Sequence, residues 1–183
     1  LCAAERQQTG AREMLERFVE DYPNSIYLND VHFALGTILE KEGDYQRAYE
    51  HLLTVNPHEL PYSRIGEYYY RTGHAAYQNG DEDKAYSYFQ NCTTDPAYAP
   101  HATYYKAYID YTRGDLDAAK SGFASIAELP AYEPIIPFYL LQIEFRQGNY
   151  AYVVEHGVPL LNKATGAREI EIARILSEAY FRQ

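Results

Sequence analysis

Little in this chain points to chemistry, and the gaps are informative. No run of about eighteen or more apolar residues occurs, so no segment reads as a membrane-spanning helix. There are only two cysteines, Cys2 and Cys92. Neither stands in a C-x-x-C pair or at ligand spacing from a histidine, so both read as small buried thiols and the redox compartment stays open. The usual catalytic signatures are missing: no G-x-G-x-x-G, no P-loop, no H-E-x-x-H and no G-x-S-x-G. The six histidines are scattered, and none has a second ligand at helical spacing. His58-Glu59 lies between prolines and reads as a solvated turn. No two carboxylates stand out as a general acid and base. The chain therefore reads as a non-enzyme, with no cofactor and no metal. Positive charge is also scarce, with 16 Lys and Arg against 26 Asp and Glu, a net charge of -10. Such a balance repels phosphate backbones and anionic membrane surfaces, which argues against nucleic acid as a partner and against direct membrane insertion.

Two short patterns invite larger readings and do not carry them. Leu1-Cys2 suggests a lipidated cysteine, but the residues required before it are not there, and the opening residues look like the end of a helix. Asn91-Cys92-Thr93 fits the glycosylation pattern, but three residues inside a helical stretch are a weak match. The chain begins at Leu1 without a signal peptide and is expected to be a piece of a longer protein.

What is present is a repeat. Four dipeptides, Gly43-Asp44, Gly80-Asp81, Gly114-Asp115 and Gly148-Asn149, are separated by 37, 34 and 34 residues. Glycine closes one helix by taking the left-handed conformation, and the Asp or Asn after it starts the next by accepting from its first turn. Four residues after each Asp or Asn come Ala48, Ala85, Ala119 and Val153. Nine after each glycine come Leu52, Phe89, Phe123 and Gly157, and twelve after come Val55, Cys92, Ile126 and Leu160. Seven before each glycine are Gly36, Gly73, Ala107 and Leu141. Spacings of three and four make one helical face, and the small residues permit close approach of a neighbouring helix.

This pattern, recurring near every 34 residues, resembles the tetratricopeptide repeat (TPR). The resemblance covers essentially the whole chain and implies an all-α fold. The expected architecture is an α-solenoid, a right-handed superhelix of antiparallel helix pairs. It divides one array, 1–183, into a partial repeat at 1–23, repeats at about 24–60, 61–97, 98–131 and 132–165, and a half repeat at 166–183. The partial repeat keeps the tail of its first helix, Leu1 to Arg6, and a second helix carrying Ala11, Leu15 and Phe18. A narrower likeness lies around Tyr22-Pro23-Asn24-Ser25. That stretch resembles the YPNS repeats of bacterial envelope TPR proteins, among them outer-membrane assembly lipoproteins, a periplasmic Tol-Pal partner and tyrosine-rich proteins of Bacteroidetes. It implies a location on the periplasmic side of a bacterial cell envelope, with the cytoplasm as the alternative.

Several residues depart from the family pattern. Val153 and Gly157 reverse the expected sizes, and Pro159 is expected to break or kink its helix near Gly157. Asp110 and Glu144 replace apolar residues and either face solvent or accept hydrogen bonds between helices. Three extra residues between the first two full copies belong to a connecting loop.

The most informative feature is aromatic. In TPR stacks the first helices of the pairs line the concave face. Ten residues before each glycine stand Phe33, Tyr70, Tyr104 and Phe138. Six before stand Thr37, His74, Tyr108 and Gln142. Three before stand Glu40, Tyr77, Tyr111 and Phe145, with Phe181 in the half repeat. Two readings stay open: packing of the groove wall, or a ligand-binding groove contacted by Tyr70, His74, Tyr77, Tyr104, Tyr108, Tyr111, Phe138 and Phe145. The resemblance implies an interaction scaffold binding an extended peptide or a helix of a protein partner. A glycan-binding module is the alternative, since tyrosine faces stack on sugar rings. In the last helix Ile172, Ile175, Leu176 and Ala179 form an apolar face expected to be covered on one side only, which predicts fraying or self-association.

Overall fold

The computed structural model describes residues 10–183. They form ten helices, with no strand among the described residues. The helices are α1 (Ala11–Asp21), α2 (Leu28–Glu42), α3 (Tyr45–Leu53), α4 (Tyr62–Gln78), α5 (Glu82–Asn91), α6 (Ala99–Arg113), α7 (Leu116–Ile126), α8 (Ile136–Arg146), α9 (Tyr150–Leu161) and α10 (Ala167–Arg182). Neighbouring helices pack in pairs, as in a TPR α-solenoid. Two compact units make up the chain, Leu1–Tyr105 and Lys106–Gln183, with α6 beginning in the first and ending in the second. Cys2 and the expected helix tail Leu1 to Arg6 lie outside the described residues.

The four turns follow from their dipeptides. Gly43, Gly80, Gly114 and Gly148 all take φ between 81° and 85°, the left-handed region that side chains avoid. Each glycine N–H bonds three residues back, and the next residue's N–H bonds five back, as in Asp44 N to Leu39 O at 2.9 Å and Asp81 N to Ala76 O at 2.9 Å. This closes the orphan carbonyls of the first helix. Asp44, Asp81 and Asp115 then accept from the backbone N–H of Arg47, Lys84 and Ala118. Asn149 does not cap α9. Its amide donates instead to the Glu144 carboxylate.

The core follows the repeat register. Ala48, Ala85, Ala119 and Val153 are fully buried, as are Leu52 and Phe123. In the first unit Leu15 of α1 packs with Val31, Ala34 and Leu35 of α2. In the second, Leu141 and Val153 pack with Ile172, Ile175, Leu176 and Ala179. The α10 face is thus buried, contrary to the expectation of a half-covered face. What α10 leaves exposed is Ile170, Tyr180 and Phe181.

The size reversal in the fourth copy is compensated. A Cβ on Gly36 would meet Leu52, and one on Gly73 would meet Phe89. In the fourth copy Leu141 takes the first place and Gly157 the second, and a Cβ on Gly157 would meet Leu176 and Leu141. The small partner has moved to the other helix of the pair.

The expected break near Gly157 is absent, since α9 continues through Gly157 and Pro159 to Leu161. The proline sits in the last turn, and both it and Glu155, whose carbonyl would accept the missing N–H, are exposed. Water is available there to an unpaired carbonyl. The three extra residues fall at a 3-10 turn, Pro57–Glu59, where His58 and Glu59 are exposed as expected. Cys92 is buried, and its thiol lies 3.3 Å from the Gly66 carbonyl.

Candidate functional site

All eight aromatic and histidine candidates lie on the first helices of their pairs and are half-buried. In the first unit Tyr70 and His74 stack, with ring centres 5.8 Å apart and planes 4° from parallel. The ring that gathers the others is Tyr105. It lies 5.3 Å from His74, 5.1 Å from Tyr77 and 5.6 Å from Tyr104. It also stacks on Phe89 at 5.3 Å and 12°. Burial pushes its phenol upward, so its hydroxyl stays protonated.

Beneath these rings is a buried polar network in place of another aromatic. Glu40 and Arg71 are each 8% exposed. Arg71 donates to Glu40 at 2.6 Å and to Glu67 at 2.8 Å. His74 Nδ1 meets the other Glu40 oxygen at 2.5 Å, and its Nε2 lies 3.1 Å from the Gln78 amide. Burial alone would raise the Glu40 carboxyl, but His74 and Arg71 outweigh it and hold the group below its ordinary range. An ionised Glu40 requires His74 to donate from Nδ1, and its Nε2 is engaged by the Gln78 amide. Both His74 nitrogens are engaged, and only the ring is left for a ligand.

In the second unit the gathering ring is Tyr139. It lies 5.8 Å from Tyr108, 5.7 Å from Tyr111 and 6.0 Å from Phe138. It stacks on Phe123 at 4.9 Å and 9°. The Tyr111 hydroxyl donates to Gln142 at 3.2 Å, and the Arg146 guanidinium lies 5.0 Å over the Tyr111 ring. Arg168 and Arg174 of α10 lie over Phe138 and Phe145. Phe145 meets Tyr150 edge-on at 6.0 Å.

Sequence reasoning missed both gathering rings. Tyr105 and Tyr139 each stand nine residues before a turn glycine, and their partners Phe89 and Phe123 each stand nine after one. That recurring pair was available as a signal. Asp110 and Glu144 are both buried. Glu144 binds Lys120 of α7 and Asn149, the between-helix alternative. Asp110 accepts from Lys106 on its own helix at 3.3 Å.

Among the described residues no group of three or more His, Cys, Asp or Glu side chains is placed to hold a metal ion, and no helix is long and apolar enough to cross a membrane. A family model for the tetratricopeptide repeat matches residues 1–25. Such repeats generally mediate protein–protein interaction and are generally non-catalytic. No curated protein matches the chain.

Proposed function

We propose that this chain is a protein-interaction scaffold whose aromatic first helices take an extended peptide or a helix of a partner, in a complex of the bacterial cell envelope. One observation carries the reading. Tyr70, Tyr77, Tyr104, Tyr108, Tyr111, Phe138 and Phe145 are half-buried at repeating positions, while core positions such as Ala48, Ala85, Ala119 and Val153 are fully closed. Half-buried rings held by their neighbours give contact area at a low entropic cost. The YPNS likeness supports the envelope setting.

The test is selection from a random peptide library on the immobilised chain, with a glycan array run in parallel. Enriched peptides should lose binding to a Tyr77→Ala, Tyr108→Ala, Tyr111→Ala variant that keeps its helical circular dichroism. Peptide binding that survives the variant removes these rings from the reading. Loss of helicity assigns them to packing. Enrichment on the glycan array alone favours a carbohydrate module.

A further inference from the structure

His32 of α2 and His51 of α3 are nineteen residues apart in sequence and meet in the fold. Their Nδ1 atoms are 2.9 Å apart, and both rings are half-buried. The ring centres are 5.1 Å apart, so the separation beyond the nitrogens nearly equals the two half-rings themselves. The nitrogens therefore point at each other along one line. Two lone pairs bound to a common metal ion would converge at an angle. A head-on contact suits one shared proton, with one ring donating from Nδ1 and the other accepting.

We propose that this pair is a proton-operated latch between α2 and α3: one proton closes it, and a second forces it open. With both rings protonated, two N–H groups would face each other across a hydrogen-bond distance with no acceptor between them. The charges around the pair give little relief. Glu16 of α1 favours a charged His51, but it is held by Arg47 at 2.7 Å. Glu50 of α3 also favours it, but it accepts from Gln46 at 2.8 Å. Arg47 opposes the charge. On α4, Arg71 is taken up with Glu67 and Glu40.

Burial lowers both imidazoles below the ordinary value, and His32 and Arg47 add to the effect on His51. The sign follows. An opened hairpin binds protons near the ordinary pKa of about 6.5, so the closed form is fully favoured above that pH. It loses ground as pH falls from there through the lowered values. Each proton taken up only on opening multiplies the open fraction by up to about tenfold per pH unit. The window lies above the range in which carboxylates titrate.

The experiment is an imidazole nitrogen NMR titration of the whole chain between pH 7.5 and 5.0, with amide hydrogen exchange at the same pH values. At pH 7.5 one ring of the pair should carry its proton on Nδ1 and the other on Nε2. The second proton should enter together with loss of protection across α2 and α3, and in His32→Gln that acid-dependent loss should shrink. Two outcomes overturn the latch: both rings protonating while α2 and α3 protection stays constant, or protection falling as steeply in His32→Gln. If the variant fails to fold, the titration of the native chain decides alone.

Discussion

Gly36 is the sharpest place to test how the helix pairs are held together. A Cβ added there would lie 2.5 Å from Leu52 Cγ, 2.8 Å from its Cδ2 and 3.2 Å from the Ala48 carbonyl oxygen. Carbon atoms rest about 3.5–4.0 Å apart, so about 1 Å must be found. Leu52 and Ala48 are both fully buried, so neither has room to swing out. Overpacking of this kind costs about 1–3 kcal/mol. Alanine returns about 1 kcal/mol of helix propensity over glycine. Gly36→Ala should therefore destabilise the chain by about 1–2 kcal/mol, the clash being near the severe end. Leu52→Ala alone should cost about 2–5 kcal/mol. In the double variant the new methyl enters the space that the leucine leaves, so the clash vanishes and the propensity gain remains. The cycle should then show a favourable coupling of about 1–3 kcal/mol. Urea unfolding followed by far-ultraviolet circular dichroism reads these differences from the midpoints. A Gly36→Ala chain more stable than the native one, or a double variant additive within about 0.5 kcal/mol, refutes the close-approach argument.

Asp81→Ala should lower the urea midpoint, because it removes the acceptor that Lys84 N–H uses at the start of α5; an unchanged urea midpoint would count against the cap. Glu40 is held below its ordinary range, so its contribution is present above about pH 4.3 and disappears as pH falls through the lower folded value. Urea midpoints between pH 3 and 6 should therefore show less acid loss in Glu40→Gln than in the native chain, and parallel curves would be the contrary result. Burial pushes the Cys92 thiol up to about 11. In a Cys2→Ser chain, thiol reagents at pH 8 should label Cys92 only as fast as the chain opens, and immediate labelling in the native state would contradict this. Ile170, Tyr180 and Phe181 leave an apolar edge on α10. Sedimentation should show concentration-dependent association that Phe181→Ser weakens; a native monomer at every concentration would speak against it.

The helix boundaries were legible in the residues because stop and start chemistry is local. A glycine that turns left-handed and an aspartate that caps the next helix act within one turn of chain, and Gly43-Asp44, Gly80-Asp81 and Gly114-Asp115 do so. The buried face was legible for the same reason, since spacings of three and four describe one helix at a time. Asn149 shows where local chemistry stops being enough. It stands in the capping place, but a buried Glu144 nearby is the stronger claim on its amide. Leu141 and Gly157 look like two faults when each helix is read alone, and they are one exchange once the pair is packed. Glu40 looks like a missing rung in the aromatic series until Arg71 and His74 close on it from α4. His32 and His51 have no reason to be linked until α2 folds against α3. Sequence by itself determined where each helix begins, ends and turns its apolar face, because those choices rest on the backbone and on neighbours a few residues away. The tertiary structure decided which polar groups are paired, which rings gather the others and which small residue faces which large one. Those choices depend on atoms brought within a few ångströms from separate helices, whose mutual approach depends on every side chain between them.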